Sequence, residues 1–191
     1  MVPEQLLSES DRKFLLSLAR RSIENYANGE PAPPVELKGL SQRLRDQGAS
    51  FVTLTCHGYL RGCIGTLEPY QSLTEDVREH AIAAASQDYR FPPVQTNEIK
   101  DIKIEISCLT RPEPLEYKNP DELLSKLRPN IDGVVIQDGM RRATFLPQVW
   151  EKIPDPQEFL EELCMKMGCR PDLWRKKKMD VFTYQVEEFH E

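Results

Sequence analysis

Residues 51–66 read Phe-Val-Thr-Leu-Thr-Cys-His-Gly-Tyr-Leu-Arg-Gly-Cys-Ile-Gly-Thr, two β-prone runs around a polar centre, the signature of a β-hairpin. Side chains alternate along a strand, so phase decides what each residue faces. Val52, Leu54 and Cys56 form one face of the first run, and Leu60, Gly62 and Ile64 form one face of the second. The two apolar faces coincide only across an odd-numbered loop, most simply His57-Gly58-Tyr59. Thr55 is then expected opposite Arg61, Thr53 opposite Cys63, and Phe51 over Gly65, an aromatic shielding a strand glycine. Cys63 and Arg61 fall on the face opposite Leu60 and Ile64.

Outward from this hairpin, helical and extended signals mix without a repeating order. Ser10 to Asn28 places Phe14, Leu15, Leu18, Ile23 and Tyr26 at helical spacing and stops at Gly29. Pro31, Pro33 and Pro34 enforce an extended connector, and Ser41 to Gln47 predicts a short helix before Gly48. Ser72-Leu73-Thr74-Glu75 matches a capping box and opens a helix to about Asp88, with Val77, Ala81, Ala84 and Ala85 as a stripe of small residues suited to a sheet.

Asp101 to Thr110 alternates cleanly, with Ile102, Ile104, Ile106 and Cys108 on one side and Lys103, Glu105 and Ser107 on the other. Asn119-Pro120 caps a short helix to about Leu127, and a second hairpin joins 133–136 to 141–146 around Asp138-Gly139. A helix runs from Asp155 to Met167 with Gly168 as its stop, and a single last strand covers about Val181 to Val186. Hairpins separated by helices of uneven length give the α+β class, a mainly antiparallel sheet with packed helices in one domain over 1–191.

Composition narrows the function classes. The chain has 191 residues, 39% hydrophobic and 29% charged, with a formal net charge of -6. An acidic protein repels polyanions, so nucleic acid is not expected as a partner; the dense basic run Arg175-Lys176-Lys177-Lys178 reads as a solvated loop. The N-terminal stretch carries Glu4, Glu9 and Asp11 without an apolar signal core, and no run approaches a membrane span, which predicts a cytosolic protein away from membranes. The five cysteines at 56, 63, 108, 164 and 169 are odd in number and irregularly spaced, which predicts reduced thiols. With no C-x-x-C pair and scattered His57, His80 and His190, no metal and no cofactor is expected. P-loop, Rossmann and H-E-x-x-H signatures are absent.

The residues left with chemistry cluster in three places. Gly62 and Gly65 weaken a strand unless a bulge, a neighbouring backbone or a ligand comes close, and they frame Cys63, with Arg61 two residues earlier. A guanidinium beside a thiol favours the nucleophilic thiolate, although a free cysteine also serves as an inert apolar residue. Asp88 and Arg90 sit at a helix C-terminus, either fixing the turn or lining the rim of the Cys63 face. Glu105 is either a solvated strand residue or, if its strand joins the same sheet, a partner of Arg61 or a base. His80, beside the alanine stripe, reads as a packing histidine, and Trp150 and Trp174 as core.

At Leu60-Arg61-Gly62-Cys63-Ile64-Gly65-Thr66 the chain resembles the AMMECR-domain family, and the resemblance continues through 88–93, Glu105-Ile106-Ser107, Phe145-Leu146-Pro147-Gln148-Val149 and the closing helix and strand. It departs at Tyr89, where proline is usual, and at Ser86, where Phe is common. The resemblance implies an α+β protein with a larger lobe and a smaller lobe, the latter from parts of 111–175. It also implies a place in a three-component system with a Memo-type protein and a radical S-adenosylmethionine protein. Arg61, Gly62, Cys63, Gly65, Asp88, Arg90 and Glu105 match the family's recurring positions, so it carries the site to them; His80 does not.

Two functions are therefore expected to compete. The first is a thiol-dependent enzyme acting on a small molecule or modified substrate, with Cys63, Arg61 and Glu105 catalytic and Asp88, Arg90, Gly62 and Gly65 substrate-binding. The second is a binding module working with the Memo-type and radical S-adenosylmethionine partners, or pairing with a second copy of itself.

Overall fold

Two residues of left-handed backbone turn the decisive hairpin. In the computed structural model, which describes residues 6–191, His57 has φ +52° and Gly58 φ +83°, the geometry whose twist matches that of the flanking strands. In chain order the elements are α1 (Glu9–Ala27), α2 (Gln42–Arg45), β1 (Gln47–Cys56), β2 (Tyr59–Gly65), β3 (Gln71–Ser72), α3 (Leu73–Ser86), β4 (Ile102–Leu109) and β5 (Glu113–Pro114). There follow α4 (Pro120–Lys126), β6 (Gly133–Asp138), β7 (Arg141–Phe145), α5 (Pro156–Lys166), α6 (Leu173–Lys176), β8 (Asp180–Tyr184) and β9 (Val186–His190), with 3-10 turns at Thr96–Asp101 and Pro147–Glu151.

The hairpin corrects one expectation and explains why its consequence survives. The loop has two residues, not three, because Cys56 pairs with Tyr59 and Thr55 with Leu60. Thr55 therefore does not face Arg61. A two-residue loop alone would put the apolar residues of β2 out of phase. The register shifts after Leu54, which pairs with Gly62, so Arg61 is the extra residue of a β-bulge. From there Thr53 pairs with Cys63 and Phe51 with Gly65, as phase requires. Leu60, on the turn side of the bulge, is 42% exposed instead of joining the core face.

The chain is α+β and divides into two compact units, residues 1–110 with 187–191, and residues 111–186. In the first, the sheet runs β2-β1-β4-β9, with β3 also pairing β1; β1 is antiparallel to β2, β3 and β4. Val52, Leu54, Ile104, Ile106 and Cys108 are buried in one cluster with Leu15, Ala19 and Ile23 of α1 and Val77, Ala81, Ala84 and Ala85 of α3. Each valine, leucine or isoleucine among them contributes roughly 1.5–3 kcal/mol on burial. The alanine stripe lets α3 come very close: a Cβ on Gly62 would lie 2.1 Å from the Ala84 carbonyl oxygen. Ser72 caps α3, accepting from the Glu75 N–H at 3.2 Å.

The second unit holds a sheet ordered β5-β8-β6-β7 and a core in which Trp150 stacks on Phe159 with centroids 3.6 Å apart. Asp155 and Asn119 cap α5 and α4 by accepting from Glu158 and Glu122 N–H groups at 2.9 Å each. Two expectations need correcting here. The last strand is two, broken at Gln185, with β8 in the second sheet and β9 in the first. The basic run is not all loop, since Arg175 and Lys176 close α6, where Lys176 pairs with Asp172 and Arg175 lies 4.3 Å over Trp174.

Candidate functional site

The face of the first sheet opposite the aliphatic cluster carries a row of chemistry. Because Thr53 pairs with Cys63 on one side and with Glu105 on the other, all three point the same way from adjacent strands. The Thr53 hydroxyl donates to the Cys63 sulfur at 3.3 Å. Cys63 is partly exposed, in contrast to Cys108, which is sealed among aliphatics. Glu105 lies two strands from Cys63, roughly 10 Å away at the usual strand spacing. The two side chains are therefore beyond direct hydrogen-bond reach of each other.

At the β2 edge, the Cys63 main-chain N–H donates to Asp88 Oδ2 at 2.8 Å. This carboxylate occupies the position a further strand would take and closes the edge locally. Asp88 is held in turn by Arg90, whose Nε and Nη2 reach Oδ1 and Oδ2 at 2.9 and 2.6 Å, with the Arg90 N–H on Oδ1 at 3.2 Å. The Arg90 guanidinium, together with these N–H groups, holds the buried Asp88 carboxyl far below the usual carboxylate range. Arg90 itself is pushed up chiefly by Asp88, with Cys63 among the neighbouring groups that favour its charge.

Arg61 does something else. Its Nε and Nη2 make a fork on Glu98 at 2.8 and 3.0 Å, and Glu98 also accepts from the Gln95 N–H at 2.8 Å, capping the 3-10 turn. The Arg61 guanidinium holds the Glu98 carboxyl below its ordinary value. The bulge thus aims Arg61 at Glu98; the charged pair beside Cys63 is Asp88 with Arg90. Nor does Glu105 meet Arg61: burial, and then a hydrogen bond and repulsion from Glu188, push its carboxyl up. That pair places two carboxyl groups side by side at the far end of the row.

Both glycines are explained by close approach. Gly62 admits the α3 backbone, and at Gly65 a Cβ would meet the Ser50 carbonyl oxygen at 2.3 Å and the Phe51 ring at 2.4 Å. His80 packs against Asp76 at 3.1 Å, and Asp76 also accepts from the Ser50 hydroxyl at 2.6 Å, all three buried on the core side.

The model of the AMMECR1 family matches residues 16–189. The chain belongs to the AMMECR1 family. A protein of Methanothermobacter thermautotrophicus is 39% identical over 190 residues, covering 97% of this chain and 96% of its own length. One from Thermococcus onnurineus is 40% identical over 190 residues, covering 94% and 89%. The crystal structure of an uncharacterized protein from Pyrococcus horikoshii superposes with a TM-score of 0.77 at 35% identity, covering 97% of this chain and 93% of that one.

Within this AMMECR1 domain the residues that sequence reasoning did not nominate are Thr53, Glu98 and Glu188. Thr53 was legible from register alone, as the residue opposite Cys63. Glu98 and Glu188 were not, since one sits in a 3-10 turn and the other on a strand that periodicity did not separate from its predecessor. Among the described residues, no three His, Cys, Asp or Glu side chains cluster as metal ligands, and no helix is long and apolar enough to cross a membrane.

Proposed function

We propose that this AMMECR1-domain protein is a cytosolic thiol-dependent enzyme acting on a small anionic molecule, with Cys63 as nucleophile. The observation that carries the reading is the Thr53 hydroxyl donating to a partly exposed Cys63 sulfur on the polar face of the sheet. A hydroxyl that donates to sulfur offers a hydrogen bond that strengthens as negative charge develops there. Asp88 fixes the Cys63 main chain, Arg90 offers a half-exposed cation beside it, and Glu105 stands as an acid–base group at the end of the row. Arg61 holds the bulge that sets the phase of Cys63 and acts through position. Gly62 and Gly65 let β2 sit where the thiol is presented.

Alkylation with a charged and a neutral reagent tests the substrate class. Iodoacetate should label Cys63 faster, relative to iodoacetamide, than it labels the similarly exposed Cys56, and Arg90→Gln should remove the preference. Equal ratios at both cysteines would rule out an anion site.

A second reading has its own support. Tyr59, at the turn end of β2, and Tyr89, between Asp88 and Arg90, are 79% and 96% exposed, and aromatic side chains of this kind anchor protein interfaces. In this reading the β2 edge docks partners of the Memo and radical S-adenosylmethionine types. Tyr89→Ala would then abolish co-purification with them while Cys63→Ser leaves it intact.

A further inference from the structure

The second unit contains a pair of cysteines that the Cys63 reading does not use. Helix α5 ends in a Schellman turn: Gly168 takes φ +78°, its N–H donates to the Met165 carbonyl at 2.9 Å, and the Cys169 N–H reaches back to the Cys164 carbonyl at 3.0 Å. This closure brings the third residue from the helix end against the second residue beyond it, a contact ordinarily made by two apolar side chains. Here both are thiols. Cys164 is fully buried in the apolar cluster, and Cys169, partly exposed, packs against that same cluster. Their main chains are already bonded, which keeps the Cα atoms near the ~6 Å that a disulfide spans.

The two sulfurs differ in a useful way. Arg141, exposed at the start of β7, donates from Nη1 to the Cys169 sulfur at 3.2 Å. A guanidinium on a sulfur open to solvent stabilises the negative form that attacks oxidants. Cys164 has the opposite character. Burial pushes its thiol up, and the neighbouring Cys169 adds to that. It is thus shielded from solvent until an oxidised sulfur is presented to it.

We infer that Cys169 is a peroxide-reactive thiol and Cys164 its resolving partner, the pair closing to a reversible disulfide across the C-terminal turn of α5. Cys169 thiolate attacks hydrogen peroxide, the O–O bond breaks, and sulfenic acid and hydroxide form. The Cys164 sulfur then attacks the sulfenic sulfur. The S–O bond breaks, the S–S bond forms, and the Cys164 proton leaves with the hydroxyl as water. Two electrons pass from the sulfurs to one peroxide. Closure ends the oxidation at a step that thiols reverse, before the irreversible sulfinic acid.

The chain supplies its own assay. Trypsin cuts after Lys166, between the two cysteines, while Pro171 blocks cleavage after Arg170. Residues 153–166 and 167–175 therefore stay together only through this bond. The whole protein is treated with limiting hydrogen peroxide, alkylated under denaturing conditions, digested without reductant and analysed by mass. The inference predicts a joined peptide, two hydrogens lighter than its parts and separated by dithiothreitol. Cys164→Ser should lose it and accumulate Cys169 sulfinic acid, Cys169→Ser should lose it without overoxidation, and Arg141→Gln should slow its formation severalfold. Recovery of both peptides separate and alkylated, at peroxide levels that oxidise Cys63, would overturn the inference. So would Cys169 sulfinic acid beside an alkylated Cys164 in the unaltered chain. Both of these readings come from the unaltered protein, so misfolding of a variant leaves the result decisive.

Discussion

The two faces of the first sheet carry the same residue types to opposite ends. On one face Cys108 has no exposed surface and its thiol is driven far up by burial, despite the opposing influence of Arg43. On the other face Cys63 is partly exposed, with a hydroxyl on its sulfur and a carboxylate on its main chain. A strand turned by one residue would exchange these environments. What makes one cysteine structural and the other a candidate nucleophile is the parity of β2, which the bulge at Arg61 restores after a two-residue turn.

The largest expected effect comes from forcing a side chain between the layers. Gly62→Ala directs a methyl group at the Ala84 carbonyl, so α3 or β2 must shift, and urea unfolding should show a loss of about 3 kcal/mol or more. Next comes the aliphatic face itself: Ile106→Ala should cost roughly 2–5 kcal/mol, whereas Thr53→Ala, one strand away and facing the other side, should stay within about 1 kcal/mol. Equal losses would mean that the two faces are not distinct.

Asp88→Asn should cost about 2 kcal/mol, the worth of hydrogen bonds to a buried charge. Its sign with pH is set by the lowered carboxyl. The contribution is complete above the ordinary carboxylate range near ~4 and is lost as pH falls below it, so the gap between the two proteins narrows in acid. Glu105 has the opposite sign. Its carboxyl is raised, so its contribution favours folding at low pH and declines as pH rises through that raised value. Glu105→Gln should therefore stabilise the protein slightly more at pH 7 than at pH 4, by under about 1 kcal/mol; a larger gain in acid would contradict the pairing with Glu188.

Much of this was legible before any coordinates. Alternation placed Ile104 and Ile106 inward and Glu105 outward, capping residues located α3, α4 and α5, and the coincidence of apolar faces paired Thr53 with Cys63. Parity, however, counts only odd against even. A three-residue loop and a two-residue loop with a bulge satisfy it equally, and the difference is the direction of Arg61. Its partner Glu98 lies 37 residues on, in a 3-10 turn that carries no periodic signal. The exchange of β8 for β9 at Gln185 escaped for a related reason, because two short strands in sequence read as one. Asp88 and Arg90 were visible as a turn; that the carboxylate would also close the β2 edge depends on contacts between residues 25 apart.

The account rests on Cys63 being a presented thiol. Iodoacetamide labelling of the folded protein at neutral pH, followed cysteine by cysteine by peptide mass, measures this directly. Cys63 should react well ahead of Cys56, and Thr53→Val should slow it severalfold, while Cys108 labels only on unfolding. Cys63 reacting no faster than Cys56 or Cys108 would contradict it.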